Sequence, residues 1–364
     1  MENNSFNVAV LGAGNIGSAV VARLMDLDKG IVGLNVKKIL VRDTKKPRDI
    51  SKDLLTDNFD EILNDDSIDL VIEVLGGIDP GKEYIDALLK KGKAVITANK
   101  DIIADAGSDL IQTAKDNNAC LYFEAAVAAG IPVLKPLIES LRGEQLSKVL
   151  GIINGTSNYM LTSMEEGSSY EEALSTAQEL GYAEPDPTND VEGIDAKYKA
   201  VILSLLCFGV SPSSDELFTD GISEITKEDF EWAARLGKTI KLVAQIENKN
   251  GFNARVHPVL IDNKHPLAAI RGALNAVVVE GDNINQLVFS GPGAGAEPTA
   301  SAIIGDVLSA CHQLSSEQTN WYPLREFKGE MKSFEDVESS MFIRLSVSDE
   351  PGVLAKISGT FGEN

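Results

Sequence analysis

The chain has 364 residues, of which 43% are hydrophobic, so it is long enough to form two or three domains with buried cores. Its formal net charge of −22 opposes binding to a polyphosphate backbone, and no basic stripe offsets it, so we expect no nucleic-acid partner. The longest apolar runs are shorter than the roughly 20 residues that cross a bilayer and no signal pattern opens the chain, so we expect no membrane partner and a cytoplasmic location.

The first predicted elements are a strand, a tight turn and a helix in FNVAVLGAGNIGSAVVARLM, residues 6–25. The turn has the G-x-G-x-x-G spacing, in which the glycines permit the turn, let the backbone approach a pyrophosphate and let helix and strand pack closely. The N-terminus of the helix offers free N–H groups to phosphates. The alternative is a glycine-rich turn without a ligand. The predicted cofactor-binding residues here are Gly12, Gly14, Asn15, Ile16 and Gly17.

The second predicted strand, VKKILVRD, ends at Arg42, which is followed by Asp43 and a basic cluster over 45–48. An acidic residue at such a strand end binds the ribose 2′-hydroxyl of NAD, whereas an arginine accommodates the 2′-phosphate of NADP. We therefore predict that Arg42 binds NADP. NAD stays possible, because Asp43 can take the hydroxyl.

Further strands and helices alternate up to about residue 126 and predict a parallel, doubly wound sheet of the Rossmann type. Ligands of such sheets collect at the carboxyl ends of the strands. A lysine after a strand is usually a solvated loop charge, but Lys100 lies where the nicotinamide half of a cofactor should end. The predicted strands are DLVIEVLGG (69–77), AVITANK (94–100) and ACLYFEAA (119–126), the helices span 80–91 and 101–117, and the crevice residues are Gly76, Gly77, Asn99, Lys100 and Glu124.

The pattern changes after residue 130 and predicts a second, α+β domain. A helix over 130–143 precedes the strand KVLGIING, and Thr156 or Ser157 is expected to cap the helix after the turn. Another helix covers about 169–180. Between 239 and 290, four apolar runs predict strands of a mixed or antiparallel sheet; they are TIKLVAQIE, ARVHPVLI, AVVVEG and QLVFSG.

The segment GYAEPDPTNDVEGIDAKYKA, residues 181–200, combines many carboxylates with the start of an apolar helix. Asp195 and Lys199 are spaced i, i+4, so they share one face of a helix that begins near Val191. In most proteins such a pair is a surface salt bridge worth about 0.3–0.5 kcal/mol. Here the apolar continuation indicates a buried helix, and the carboxylates are too many for a cap, so we predict a functional pair.

Seven blocks, in order and nearly in spacing, resemble the homoserine dehydrogenase family over about residues 6–320. The resemblance implies the interconversion of L-aspartate 4-semialdehyde and L-homoserine with NAD(P), in threonine, methionine and isoleucine biosynthesis. The alternatives are another NAD(P)-dependent amino acid or semialdehyde oxidoreductase, and a nucleotide-sensing regulator. The blocks are GAGNIG, EVLGG, TANK, EAAVAAGIPV, NGTSNYM, GYAEPDPTNDVEGIDAKYKA and GPGAGAEPTASAIIGD.

The resemblance also implies roles for single residues. Reduction of an aldehyde needs a cationic acid beside the carbonyl oxygen, and the family pattern gives this role to Lys199, with Lys100 as a second catalytic cation and Asp195 beside them. The ammonium group of the substrate requires carboxylates. The expected substrate-binding residues are Glu184, Asp190, Asp195, Gly155 and Thr156.

Two further segments carry family features. The glycine-rich loop near Gly295 and Glu297 is implied to lead a helix back to the first domain and to close over the cofactor. EAAVAAGIPV resembles the family's monovalent cation site, with Na+ expected, although an ordinary strand-to-helix loop is an equal alternative. Its implied ligands are the backbone carbonyls of Val127, Ala129 and Ile131, with Glu124 nearby.

We therefore predict an α/β chain with a Rossmann-type domain over 1–133, completed by a helix over about 297–320. A second α+β domain over 134–296 serves catalysis and dimerisation. The last stretch, 338–364, resembles the opening strand and helix of an ACT domain, a regulatory module that needs several tens more residues, so we expect a partial module. The expected assembly is a homodimer or homotetramer.

Overall fold

The computed structural model describes residues 5–26, 33–316, 324–327 and 329–363. Its first sheet is parallel, with the strand order β3-β2-β1-β4-β5-β6. This order is that of a dinucleotide-binding doubly wound sheet, which confirms the predicted fold class. The strands are β1 (Ser5–Leu11), β2 (Gly33–Leu40), β3 (Leu55–Thr56), β4 (Leu70–Glu73), β5 (Ala94–Thr97) and β6 (Leu121–Tyr122).

Helices follow the strands of this sheet. They are α1 (Asn15–Asp26), α2 (Asp60–Leu63), α3 (Gly81–Lys90) and α4 (Lys100–Asp116). The apolar side chains of α1 that face the sheet, among them Val20 and Leu24, are buried, as the spacing of the sequence predicts. The predicted strand over 119–126 is wrong in its second half, because a single turn of 3-10 helix over Glu124–Ala126 ends the strand after two residues.

The second sheet is mixed, as predicted, with the order β12-β11-β7-β9-β10-β8. Only the pairing of β10 with β8 is parallel in the described part of the chain, and the other pairings are antiparallel. The strands are β7 (Leu146–Ile152), β8 (Phe218–Thr219), β9 (Lys238–Asn248), β10 (Phe252–Asp262), β11 (Leu274–Gly281) and β12 (Asn285–Pro292).

Six helices surround this sheet, and two of them differ from the prediction. The predicted helix over 130–143 is only α5, because Pro132 disfavours helix before it and the carboxylate of Glu124 binds the N–H groups of 133–135 at the helix start. The helix expected near Val191 begins at Ile194, because Gly193 has a φ of 74° and separates two helices. The six are α5 (Leu134–Ile138), α6 (Gly155–Glu165), α7 (Tyr170–Glu179), α8 (Thr188–Val191), α9 (Ile194–Phe208) and α10 (Lys227–Arg235).

Two helices connect the sheets. The buried helix α9 packs against α4 on one side and against β9 and β10 on the other. The helix α11 (Ala296–Ser316) returns from β12 to the first sheet, where its Ile303 and Val307 join the cluster that contains Val8 and Val10 of β1. The carboxyl ends of the first sheet therefore face the second sheet across a cleft.

The segment after residue 324 lies on the second sheet and then leaves it. Phe334 stacks on Phe218 with ring centroids 3.7 Å apart. The opening strand expected within residues 338–364 is not formed: a strand needs a partner, and none of the described strands pairs with this stretch. The helix predicted after it is α12 (Val353–Glu363), which is exposed. Among the described residues, no helix combines the length and apolar character that crossing a membrane requires.

Candidate active site

The glycine turn after β1 has two glycines fixed by packing and one that faces open space. A Cβ atom on Gly12 would lie 2.7 Å from the carbonyl oxygen of Val74, and one on Gly17 would lie 2.2 Å from that of Gly12. A Cβ atom on Gly14 meets nothing within 4 Å. The helix α1 begins directly after it, with Asn15 and Ile16 in its first turn. The turn therefore fits a pyrophosphate, which needs backbone N–H groups and room beside Gly14.

The end of β2 presents an arginine. Arg42 is exposed, whereas an oxygen of the Asp43 carboxylate accepts the N–H of Lys45 at 2.8 Å inside the turn. Arg48 donates to the carbonyl oxygen of Asp43 at 2.7 Å and so closes the same turn. Both side chains are exposed, but one oxygen of the Asp43 carboxylate is already engaged inside the turn.

A cleft of about 940 Å³ lies between the two sheets and contains the predicted catalytic and substrate-binding side chains. Gly295 lines it too, and the loop of Gly76 and Gly77 follows β4 at the same edge of the first sheet. Glu297 is not among the lining residues and pairs with Arg23 of α1 at 2.9 Å. The predicted residues that line the cleft are Lys100, Gly155, Thr156, Glu184, Asp190, Asp195 and Lys199.

Asp195 lies between the two lysines. Its Oδ2 accepts from Lys199 Nζ at 2.6 Å, and its Oδ1 is 3.4 Å from Lys100 Nζ. Burial alone would raise the pKa of Asp195, but the charges of Lys199 and Lys100 outweigh it and hold the pKa below its usual value. Burial would lower the pKa of Lys100, but the charges of Asp195 and Asp101 outweigh it and raise the pKa. The carboxylate and the Lys100 ammonium therefore stay charged at neutral pH.

Lys199 lies in the second turn of α9, one turn after Asp195. Its Nζ also donates to the carbonyl oxygen of Ile153 at 2.8 Å, and only 12% of its side chain is exposed. An ammonium has three N–H groups. The described residues engage two of them, so one N–H remains for a ligand in the cleft.

Sequence reasoning missed Asn154. Its Nδ2 donates to Asp190 at 2.7 Å and to Asp195 at 2.9 Å, so one amide holds both carboxylates. Its Oδ1 accepts the N–H of Ser157 at 2.8 Å, so Asn154 caps α6. The predicted caps, Thr156 and Ser157, are wrong: both lie inside the helix. An asparagine directly before a Gly-Thr-Ser helix start was the available signal.

The remaining acidic candidates differ in burial. Burial raises the pKa of Asp190, and the hydrogen bond from Asn154 lowers it by less. Glu184 is exposed at the rim of the cleft. Thr156 donates its hydroxyl to the carbonyl oxygen of Tyr182 at 2.6 Å, which ties the start of α6 to the acidic segment.

The loop over 127–131 is buried and carries unusual backbone. Ala128 and Ala129 have φ of 54° and 29°, a backbone region that residues other than glycine rarely adopt. The carbonyl of Ala128 accepts the N–H of Ile131, but within the described hydrogen bonds none is accepted by the carbonyls of Val127, Ala129 or Ile131. Buried carbonyls without donors fit a hard cation as ligands.

Glu124, the fourth predicted cation ligand, has another partner set. Both oxygens of its carboxylate accept backbone N–H groups, from 133–135, at 2.6–2.8 Å. Burial raises its pKa against these three hydrogen bonds, which lower it. Among the described residues, no cluster of three His, Cys, Asp or Glu side chains is arranged for a metal ion. A cation here would therefore depend on the backbone carbonyls.

Comparison with known proteins agrees with this arrangement. Residues 132–308 match the profile of homoserine dehydrogenase, and 12–124 match that of the homoserine dehydrogenase NAD binding domain. The homoserine dehydrogenase of Bacillus subtilis is 40% identical over 370 residues, which cover 99% of this chain and 85% of that protein.

Solved structures give the same result. A homoserine dehydrogenase from Thiobacillus denitrificans superposes with a TM-score of 0.89 at 34% identity, covering 99% of this chain and 86% of that one. A hyperthermophilic archaeal homoserine dehydrogenase in complex with NADPH has a TM-score of 0.73 at 28% identity, covering 85% and 98%. The chain belongs to the homoserine dehydrogenase family, and it is an NAD(P)-dependent oxidoreductase that acts on a small molecule.

Proposed function

We propose that the chain interconverts L-aspartate 4-semialdehyde and L-homoserine with Lys199 as the proton donor and acceptor. The observation that carries this proposal is the partly buried Lys199–Asp195–Lys100 array in the cleft, with distances of 2.6 and 3.4 Å. The third N–H of Lys199 supplies the proton to the substrate oxygen in reduction, and the same nitrogen takes it back in oxidation. When bound, the nicotinamide cofactor supplies or accepts the hydride.

Asp195 and Lys100 have supporting roles. Asp195 remains a carboxylate because its pKa is lowered, and so fixes the direction of the Lys199 ammonium. Lys100, whose pKa is raised, contributes a fixed positive charge where negative charge develops on the substrate oxygen. Asn154 restrains the Asp195 carboxylate from the other side.

Substrate recognition follows from the charges that line the cleft. The amino group of the substrate binds to the carboxylates of Glu184, Asp190 and Asp195. Gly155 and Thr156 contact the substrate at the N-terminus of α6, where none of the described residues accepts their N–H groups. Both signs of charge are available, as a zwitterionic amino acid requires.

The cofactor lies over the glycine turn, with Gly12, Gly14, Asn15, Ile16 and Gly17 on the pyrophosphate. Arg42 binds the 2′-phosphate of NADP, which is supported by its exposure and by the engaged carboxylate of Asp43. The archaeal relative with NADPH is consistent with this preference. Gly76, Lys100, Gly295 and Glu297 complete the cofactor site, and NAD remains a possible second cofactor.

A monovalent cation, Na+, binds to the carbonyls of Val127, Ala129 and Ile131 with Glu124 beside them. This is supported by the buried carbonyls without described donors. The cation stabilises the loop before α5.

We also propose a division into domains, a location and an assembly. The chain divides into a cofactor domain over 1–133 completed by a helix over 297–320, a catalytic and dimerisation domain over 134–296, and a partial ACT-like segment over 338–364. The protein acts in the cytoplasm as a homodimer or homotetramer.

The test is a pair of variants on α9. Lys199→Met keeps the length of the side chain and removes the proton donor, so we expect kcat to fall by about 10²- to 10⁴-fold. Lys197→Met, two residues earlier, removes an equal charge and should retain the native rate. Both are assayed with aspartate semialdehyde and NADPH or NADH. An unchanged kcat in Lys199→Met contradicts the assignment, and cofactor binding without turnover in the native protein indicates a sensor.

A further inference from the structure

A buried glutamate joins the ends of two strands beneath the cofactor crevice. Glu73 ends β4, Thr97 ends β5, and both are fully buried. Glu73 Oε1 accepts the N–H of Leu75 at 2.7 Å, and Oε2 accepts the hydroxyl of Thr97 at 2.6 Å. In the described part of the chain Glu73 has no ion-pair partner. A buried carboxyl without one is costly, so hydrogen bonds must stabilise it.

The hydrogen bonds continue from Thr97 to the two loops at the crevice. The hydroxyl oxygen of Thr97 accepts the N–H of Asn99 at 2.9 Å. Asn99 Nδ2 donates to the carbonyl oxygen of Gly77 at 2.6 Å, and Asn99 Oδ1 caps α4 by accepting from Asp101 and Ile102. Lys100 is the first residue of that helix. One network therefore reaches both the glycine loop and Lys100.

The glycine loop has one further polar contact to this network, in which the N–H of Gly76 faces the Glu73 carboxylate. Gly76 and Gly77 are exposed, with φ of 80° and 74°, and a Cβ atom on either would meet nothing within 4 Å. The bond from Asn99 thus fixes a segment that packing does not. Behind it, the start of α3 closes on the carboxylate: a Cβ atom on Gly81 would lie 3.4 Å from Glu73 Oε1 and 2.8 Å from Ile102 Cδ1.

We propose that Glu73, Thr97 and Asn99 are positioning residues that set the separation of the Gly76–Gly77 loop and Lys100 for cofactor binding and hydride transfer. The inference rests on the proposed function, because it takes Lys100 as the second cation and Gly76 as a cofactor contact. None of the three touches the substrate; they act through the loop and the helix start. Apolar residues at these strand ends would bury fewer polar groups, so we expect the network to cost free energy of folding. Its role in positioning explains why the chain has it.

The test compares Thr97→Val with Thr97→Ser. Valine has nearly the shape of threonine but removes the hydroxyl that donates to Glu73 and accepts from the Asn99 N–H, whereas serine keeps it. We expect Thr97→Val to lower kcat at least tenfold and to raise KM for NADPH, and Thr97→Ser to restore both to within about twofold. Thermal unfolding and NADPH titration are measured on the same samples. A valine variant that is less stable, but has native kcat and KM when folded, overturns the proposal.

A second variant decides the case in which Thr97→Val does not fold. Asn99→Ser can still cap α4, but it cannot reach the carbonyl of Gly77. We expect a near-native unfolding midpoint with KM for NADPH raised severalfold, and native kinetics overturn the proposal. The Lys199→Met result is independent of both: if that variant is inactive while Thr97→Val and Asn99→Ser are native, only the positioning role fails.

Discussion

Two buried side chains hold the loop over 270–274, and residues 271–274 of this loop line the cleft. Lys241 in β9 is fully buried, and its Nζ donates to the carbonyl of Ile270 at 2.7 Å and to Asn158 Oδ1 at 3.1 Å. Asn158 Nδ2 donates to the carbonyls of Gly272 and Leu274 at 2.9 and 3.0 Å. Burial lowers the pKa of Lys241 to about 8. The buried ammonium therefore holds the 270–274 loop in place, and its burial costs free energy of folding.

This cost predicts a pH dependence of stability. The pKa of Lys241 is about 8 in the folded chain and 10.5 in the unfolded chain, so between these values the unfolded chain binds more protons. The contribution of Lys241 to the free energy of unfolding is therefore constant below about pH 8 and rises with pH up to about 10.5, by at most about 1.4 kcal/mol per pH unit.

Urea unfolding from pH 7 to 10 measures this effect in the native protein and in Lys241→Met. The difference in unfolding free energy between the two should shift with pH in favour of the native protein above pH 8. Lys238→Met, on the same strand, controls for the loss of one lysine. Parallel curves for the native protein and Lys241→Met would show that the buried ammonium has an ordinary pKa.

At the scale of the element, the turn between β1 and α1 contains one glycine that packing requires, Gly17, and one that the proposed ligand requires, Gly14. Gly17→Ala places a Cβ atom 2.2 Å from the carbonyl oxygen of Gly12, so the helix must shift. Such overpacking typically costs about 1–3 kcal/mol. Gly14→Ala meets nothing within 4 Å, so it should keep the native stability and instead fill the space proposed for the pyrophosphate.

Thermal unfolding and NADPH titration by fluorescence distinguish the two glycines. We expect Gly17→Ala to lower the unfolding midpoint by several degrees and Gly14→Ala to leave it unchanged while weakening NADPH binding at least tenfold. Each variant is the control for the other. Native NADPH affinity in Gly14→Ala would move the cofactor away from this turn.

Elements whose ends depend on local pattern were predictable from the sequence, and those that depend on distant contacts were not. The helix predicted over 101–117 is found at Lys100–Asp116, because its own periodicity and the preceding Asn99 define it. The start of α5 instead depends on Glu124, about ten residues earlier. The opening strand expected within 338–364 lacks a partner among the described strands, which the local sequence pattern does not reveal.

The same distinction holds for the candidate site. The charged residues Lys100, Asp195 and Lys199 stand out in blocks that resemble a family, and the structure places the Asp195 carboxylate within 3.4 Å of both ammonium groups. Asn154 and Glu73 were missed. A neutral amide at a turn and an acid at the end of an apolar strand show their roles only when their partners from other elements are known.

At the scale of the whole molecule, the two sheets form one cleft because the helices α9 and α11 link them. The helix α9 carries Asp195 and Lys199 and packs on α4, which begins at Lys100. The separation of the two lysines therefore depends on the contact between these helices. The contact is close, because a Cβ atom on Gly107 would lie 3.4 Å from Leu205. The return of α11 holds Gly295 at the same cleft.

The last described residues, 341–363, pack little against the rest of the molecule. Residues 341–363 expose many apolar side chains, including Met341, Ile343, Val347, Leu354 and Phe361. Their described anchor is Arg344, an exposed side chain that binds Thr226 and the buried Asp229. Asp229 keeps the N–H and the hydroxyl of Thr226 as donors without it, so we expect the contact to be worth about 1 kcal/mol. By contrast, the preceding segment is packed: Arg325 donates to the carbonyls of Leu141 and Glu144 at 2.6 and 2.8 Å.

We therefore expect that a chain ended after residue 337 keeps its kcat and stays within about 1 kcal/mol of the full chain in unfolding free energy. It should also bind less of a hydrophobic dye, because the exposed apolar residues are gone. A chain ended after residue 323 is the matched control and should be clearly less stable, since it also loses Arg325 and the stacking of Phe334 on Phe218. If the chain ended after 337 loses activity, residues 338–363 contact the cleft or a second subunit in the working enzyme, and their exposed arrangement is not the functional one.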